Sequence, residues 1–125
     1  MIAAGSTVEA VRSVCMDTVD SAFAIVRPPG HHAHCSQAGG FCFFNNAAVA
    51  ARVAQKELGI KKVVIFDWDV HVGDGTAQVF MNDPTVLYIS IHRFDLGKFY
   101  PGPAGKHDKI GEGAGKGFNL SLIHI

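Results

Sequence analysis

The strongest constraint on the fold is an apolar run that leads directly into an acidic, histidine-containing turn, VVIFDWDVHVGDG at residues 63–75. The four apolar residues at its start do not alternate with polar ones. This pattern predicts a strand covered on both faces, as in a parallel sheet flanked by helices. Four potential metal ligands or proton carriers follow within eight residues: Asp67, Asp69, His71 and Asp74.

Asp69 and His71 form the candidate metal pair within this turn. They project to the same side if the extended backbone continues past Asp67. A carboxylate and an imidazole held in this way suit a divalent transition metal, most simply zinc. Asp, Gly and His are also ordinary turn residues, and Asp74-Gly75 is a common turn dipeptide, so a purely structural turn is the alternative.

Composition indicates one globular domain. The chain has 125 residues, 48% hydrophobic and 18% charged, which allows a real core and shows no signature of disorder. Basic and acidic residues number 11 each, so nothing predicts electrostatic binding to nucleic acid or to a membrane. The three cysteines form no CxxC and favour a reducing compartment, and no signal peptide or apolar run of about 18 residues is present. We therefore expect a soluble, intracellular product.

Helix and strand patterns alternate along the chain. Ser6 and Glu9 have the form of a capping box, which predicts a helix over 6–16. Asn45-Asn46 and Gly59 are suitable caps for a second helix. The remaining predicted elements are strands at 22–26, 63–67, 86–91 and 118–122, helices at 47–58 and 76–81, and a glycine-rich loop at 92–117. This alternation predicts an α/β fold with right-handed crossovers and a parallel sheet.

A parallel sheet would gather several polar clusters at one edge. All its strands end on the same side, so we expect His31-His32, residues 67–74 and the loop at 94–100 to converge in one crevice. Such a convergence favours an active site over a set of structural turns. A metal that polarises a carbonyl, beside a histidine that serves as general base, suits metal-assisted hydrolysis of an amide. Asp67 and Asp74 are the nearby acids that could orient the two histidines.

Three motifs resemble, in the same order, those of the zinc-dependent histone deacetylase family, which also contains acetylpolyamine amidohydrolases: RPPGHHA at 27–33, GGFCFFNN at 39–46 and DWDVHVGDGT at 67–76. The similarity extends from about residue 6 to 120. The segments HRFDLGKFYPG at 92–102 and IGEGAGKGFN at 110–119 resemble the class II branch. The resemblance implies a three-layer, arginase-like α/β fold with a mainly parallel sheet. Residues 1–125 would form its N-terminal to middle part, a partial catalytic domain.

The resemblance also implies a role for each matching residue. Asp69 and His71 become zinc ligands. The proton-transferring histidines are paired with the acids that orient them: His31 with Asp67, and His32 with Asp74. The substrate-binding positions are two aromatics that line an acetyl-lysine tunnel and a backbone that contacts the substrate linker: Phe41, Tyr100 and Gly40. A potassium ion is expected at the groups that match Asp67, Asp69, His71, Ser90 and Ile91.

The implied activity is hydrolysis of N-acetyl-lysine in histones or other proteins to lysine and acetate. The resemblance then implies an acetyl-lysine protein as the substrate and allows a co-repressor complex as a partner. The expected location is the nucleus, the cytoplasm or both. No nucleic acid or membrane is expected to bind directly. The alternatives are an acetylpolyamine amidohydrolase, since a tunnel does not distinguish a protein tail from a small amine, and a non-catalytic truncated isoform.

The chain departs from the family pattern at several positions. Val72 stands where a second histidine is usual, Asp74 where many relatives carry Asn, and residues 121–125 do not continue the pattern. A third metal ligand, an Asp, and a tyrosine that polarises the substrate carbonyl lie in the family beyond the position that matches residue 125. We therefore expect the chain alone to bind zinc weakly and to be inactive.

Other conspicuous residues have simpler interpretations. Phe43 and Phe44 are predicted to be core residues, and Cys42 a small buried filler. Asn45 and Asn46 are most simply helix caps. The histidines outside the motifs are not expected to bind metal: His92, His107 and His124.

Overall fold

The computed structural model describes residues 1–123 and divides the chain into two compact units, Met1–Lys61 and Lys62–Ile125. Each unit has its own helices or strands and its own candidate site residues. The expectation for His124 lies outside the described residues. No helix of the described part combines the length and hydrophobicity needed to cross a membrane.

Two helices form the first unit, α1 at Ile2–Cys15 and α2 at Asn46–Glu57. They pack against each other through small buried side chains of α2, and Arg12 Nη2 bonds Glu57 Oε2 at 2.9 Å. The predicted capping box is wrong, because α1 begins at Ile2 and its N-cap, Met1, makes no side-chain cap bond. The residues between Met1 and Ser6 include two alanines, the best helix former, which extend the helix upstream.

The strand predicted at 22–26 does not form. This segment joins no ladder within residues 1–123, and Phe23 and Ile25 are 86% and 88% exposed. An apolar run becomes a strand only where another strand satisfies its backbone N–H and C=O groups. The expectation that His31 and His32 follow the carboxyl end of a sheet strand is therefore wrong.

A three-stranded parallel sheet organises the second unit, in the order β1 (Val63–Asp67), β2 (Val86–His92) and β3 (Asn119–Ile123). The crossover from β1 to β2 contains α3, Asp74–Val79. The longer connection from β2 to β3 contains only 3-10 turns, at Asp95–Gly97, Pro103–Gly105 and Gly113–Gly115. The parallel α/β organisation predicted from the sequence is confirmed for these strands.

The core of this unit lies along β2. Val86, Tyr88, Ser90 and His92 alternate along the strand and are all buried, with the intervening residues partly exposed. On β1, by contrast, Val64 and Phe66 are 62% and 50% exposed. The prediction that β1 is covered on both faces is wrong for this chain, since its side chains alternate between partly exposed and exposed.

Candidate functional site

The loop after β1 brings the predicted metal pair together. Asp69 N donates to Asp67 Oδ1 at 3.2 Å, and His71 N donates to Asp69 Oδ1 at 2.8 Å. The imidazole Nδ1 of His71 lies 2.9 Å from the same Asp69 oxygen. The strand has already ended at Asp67, so the two side chains meet through aspartate-closed turns and not through the extended backbone that the sequence suggested.

The pair fits zinc in donor type but not in number. Carboxylate oxygen and imidazole nitrogen are both common zinc ligands. Two ligands of a tetrahedral zinc ion lie about 3.3 Å apart, so the 2.9 Å separation needs to open by only a few tenths of an ångström. Within residues 1–123, however, no cluster of three or more His, Cys, Asp or Glu side chains is arranged to hold a metal ion.

Aromatic side chains of the next loop pack on His71. The Phe99 ring stacks on the imidazole, with centroids 4.9 Å apart and planes 7° apart. Tyr100 meets the imidazole edge-on at 5.9 Å, and the Arg93 guanidinium lies 4.6 Å from the Phe99 centroid. Sequence reasoning named Tyr100 and missed Phe99. The consecutive aromatics before Pro101 were the available signal, but the sequence alone does not show which ring faces the histidine.

Buried His92 holds this second loop to the sheet. Its Nε2 lies 2.8 Å from the Gly105 carbonyl oxygen, which can only accept, so Nε2 carries the proton. Nδ1, 2.9 Å from Ser90 Oγ, then accepts from the hydroxyl. A Cβ at Gly105 would meet His92 Nε2 at 3.0 Å and Val72 Cγ1 at 3.2 Å, so the backbone passes very close to both side chains. Val72 is accordingly fully buried here.

The predicted potassium ligands lie around the same strand ends. Asp67 and Ser90 are partners in the register of β1 and β2, and Ile91 follows on β2. The positions are therefore neighbours, as potassium coordination by oxygen would require.

In the first unit, two asparagines hold the turn that carries the histidines. Asn45 Nδ2 donates to the Ala33 carbonyl at 3.3 Å, and Asn46 Nδ2 donates to the Pro28 carbonyl at 3.1 Å. Asn45 also caps α2, as predicted, because its side chain accepts from Ala48 N. The two asparagines therefore join the start of α2 to both sides of the histidine turn.

The two histidines differ in burial. His32 is 4% exposed and His31 is partly exposed, with ring centroids 4.1 Å apart. The pairings expected from the resemblance, His31 with Asp67 and His32 with Asp74, each join residues of different units and stay predictions.

A tight hairpin presents Phe41. Gly39 and Cys42 exchange two backbone hydrogen bonds, of 2.7 and 3.1 Å. Between them Gly40 and Phe41 have φ values of +50° and +65°, the positive pair typical of a type I′ turn. Phe41, at the tip, is 90% exposed. Such a conformation is strained for a bulky residue.

Gly40 lies directly against the buried histidine. A Cβ at this position would come within 2.6 Å of His32 Cγ and closer still to Cδ2. Cys42 is 1% exposed and its Sγ donates to the Gly40 carbonyl at 3.3 Å, which confirms it as a small buried residue. Phe43 and Phe44 are 69% and 50% exposed, so their prediction as core residues is wrong.

Comparison with known proteins identifies the relatives of this fold. A protein-family model, the histone deacetylase domain, matches residues 1–124 of this chain. Histone deacetylase 5 of Arabidopsis thaliana is 51% identical over 125 residues, covering 97% of this chain and 19% of that protein. Human Histone deacetylase 7 is 51% identical over 120 residues, covering 96% of this chain and 12% of that protein.

A solved structure, the crystal structure of the HDA15 HD domain, is similar with a TM-score of 0.93 and 49% identity. The match covers 97% of this chain and 35% of that one. The chain thus spans about a fifth or less of the curated relatives it matches, and about a third of the solved domain.

Proposed function

Because this chain belongs to the histone deacetylase domain family, we propose that it forms the part of a zinc-dependent lysine deacetylase that supplies two zinc ligands and the proton-transferring histidines. The observation that carries this proposal is the Asp69–His71 pair. Its two donor atoms lie 2.9 Å apart at the end of a parallel strand, in a chain about half identical to histone deacetylases.

Asp69 and His71 would hold the zinc ion, with further ligands from outside residues 1–123. Zinc supplies, when bound, a Lewis acid that polarises the carbonyl of the scissile amide and acidifies water. Phe99 stacks on one face of the His71 ring and fixes its plane, and the contact with Asp69 Oδ1 turns Nδ1 towards the carboxylate. A fixed ligand loses less entropy when the metal binds.

His31 and His32 would move the protons of the reaction. One accepts a proton from the attacking water and one delivers a proton to the leaving amine, the two tasks of amide hydrolysis. The Asn45 and Asn46 bonds on both sides of their turn fix the backbone that carries them. Gly40, packed against the His32 ring, restricts its side-chain rotation.

Phe41, Tyr100 and the Gly40 backbone would bind the substrate. An aliphatic lysine stem gains from apolar walls while its amide reaches the metal. We further propose a potassium ion at Asp67, Asp69, His71, Ser90 and Ile91. The register that pairs Asp67 with Ser90 supports this proposal. Acetylated histones or other acetyl-lysine proteins are the substrates that fit this proposal, in the nucleus or the cytoplasm, with a co-repressor complex as a partner.

A chimaera tests the proposal. This chain replaces the matching residues of Arabidopsis Histone deacetylase 5, which supplies the remainder of a catalytic domain. The chimaera should hydrolyse an acetyl-lysine peptide. His32→Ala should lower kcat about 10²- to 10⁴-fold, the usual contribution of acid–base catalysis, and leave bound zinc unchanged. Asp69→Ala should lose zinc and activity together.

Exposed His107 offers the matched control, and His107→Gln should change neither zinc content nor rate. A folded chimaera that is inactive beside an active parent enzyme overturns the proposal. Faster turnover of N-acetylputrescine than of the peptide would move the assignment to polyamine deacetylation.

A further inference from the structure

One buried phenol joins the two ends of the loop at residues 67–73, here called the metal loop. Tyr88 lies on β2 and is 2% exposed. Its hydroxyl donates to Asp67 Oδ2 at 2.8 Å and accepts from Gly73 N at 2.9 Å. Asp67 is the last residue of β1 and Gly73 immediately precedes α3. A single oxygen atom of the neighbouring strand therefore fixes where the loop begins and where it ends.

The contact at Asp67 extends to the metal pair through successive hydrogen bonds. The other oxygen of Asp67 accepts from Asp69 N, and Asp69 Oδ1 in turn accepts from His71 N. Each carboxylate thus orients the residue two positions further along. Because the first carboxylate is held by the phenol, the orientation of the Asp69 and His71 side chains depends on a group that touches neither.

The direction of the first bond is fixed by its surroundings. An ionised carboxylate can only accept a hydrogen bond, so the bond between Tyr88 and Asp67 runs from the phenol to the carboxylate. The Gly73 N–H then has the phenol oxygen as its acceptor. Both hydrogen-bonding directions of the hydroxyl are used, and a phenylalanine would fill the same space with neither.

We propose that Tyr88 is a positioning residue for zinc binding, acting through its hydroxyl on Asp67 and Gly73 to set the Asp69–His71 pair. This inference rests on the proposed function, since it gives the pair its metal. Hydrogen-bonded groups behind a metal ligand typically change metal affinity or activity by about 10- to 100-fold when removed. Tyr88 adds such a group from β2, outside the motif that contains the ligands.

The test compares Tyr88→Phe with the unmodified chain of 125 residues by NMR. Without zinc, the Gly73 amide should exchange with solvent roughly 5- to 10-fold faster in the variant, the effect of losing one hydrogen bond. In the chimaera, where the parent enzyme supplies further zinc ligands, zinc titration should give a Kd about 10- to 100-fold weaker for Tyr88→Phe.

Thr85→Val is the matched control. Thr85 Oγ1 also bonds a carboxylate, Asp83 Oδ1, but at the opposite end of β2. The substitution should lower stability while leaving Gly73 exchange and zinc affinity unchanged. It therefore measures what the loss of a hydroxyl does in general.

Each of the other possible results overturns one step of the inference or of the proposed function. Unchanged Gly73 exchange in Tyr88→Phe overturns the hydrogen bond itself. Faster exchange with an unchanged zinc Kd overturns the positioning role, while the proposed function stands. A chimaera whose zinc content is unchanged by Asp69→Ala overturns the metal pair of the proposed function, and the inference with it.

Discussion

Two short segments, the hairpin at 39–42 and the metal loop at 67–73, present candidate site residues by different physical means. The hairpin is set by backbone conformation, with two consecutive positive φ angles and a glycine pressed against His32. The metal loop is set by side-chain hydrogen bonds that lead back to Tyr88. One added carbon should therefore disrupt the first segment, whereas one removed oxygen should loosen the second.

Gly40→Ala is the most damaging change that this contrast predicts. It introduces both a strained positive φ and a Cβ within 2.6 Å of the buried His32 ring. Strain of about 1–2 kcal/mol and overpacking of about 1–3 kcal/mol should together lower the free energy of unfolding by about 2–5 kcal/mol. Urea unfolding measures this loss.

Gly59→Ala separates the two causes. Gly59 also has a positive φ, +74°, but a Cβ there would meet nothing within 4 Å. This variant should lose only about 1–2 kcal/mol, from strain alone. Equal losses in the two variants would mean that the contact with His32 is not tight.

The metal loop should show coupling between its two anchoring side chains. Asp67→Ala leaves the Tyr88 hydroxyl buried without its carboxylate acceptor, and Tyr88→Phe removes the hydroxyl itself. Once either is made, the other should cost less, so the double variant should lose about 1–3 kcal/mol less than the sum of the single losses. A double-mutant cycle in urea unfolding gives this number, and additive losses would contradict the network.

The sequence could predict the elements that local signals set, but not those that depend on residues distant along the chain. The strands at 63–67, 86–92 and 119–123 were visible, because apolar runs bounded by turn residues are local signals. The strand expected at 22–26 was not a strand, because pairing depends on residues distant in sequence. Residue identity alone could not distinguish that run from the others.

At the candidate site, motif residues were named but their supports were missed. Tyr88 belongs to an ordinary strand pattern, and nothing local marks its hydroxyl as the acceptor for Gly73. Phe99 was missed in the same way, since a stacking partner is set by the path of the loop. Resemblance identifies the residues of a motif, whereas the groups behind them come from other elements of the fold.

Phe41→Gly should raise the free energy of unfolding, whereas the substitutions above lower it. Phe41 is 90% exposed, so its side chain contributes little packing, and its φ of +65° is one that glycine adopts without strain. We expect the free energy of unfolding to rise by about 0.5–1 kcal/mol. In the chimaera, KM for an acetyl-lysine peptide should also rise, if the ring binds substrate.

Phe43→Gly is the control two residues away. Phe43 is also exposed, but its φ is not positive, so glycine there should only add freedom to the unfolded chain and lower stability. Stabilisation by both substitutions would show that exposed aromatics, and not the strained turn, are the cause.

The smallest effect concerns the surface pair that flanks Phe99. Arg93 donates through Nε to Asp95 Oδ2 at 2.8 Å, and this bond holds the pKa of Asp95 below its usual 3.8. A carboxyl with a lowered folded pKa stabilises the protein above its unfolded pKa, and the contribution disappears as pH falls towards the folded value. Arg93→Gln should therefore lower Tm slightly at neutral pH, less so in high salt, and the part of the difference that comes from Asp95 should be lost below the Asp95 pKa. NMR titration should show the Asp95 midpoint rising in this variant, while Asp108, whose pKa is lowered by Lys106, keeps its own midpoint. A parallel rise at Asp108 would instead indicate a global change of the loop, and the hydrogen bond from Arg93 would not be the cause.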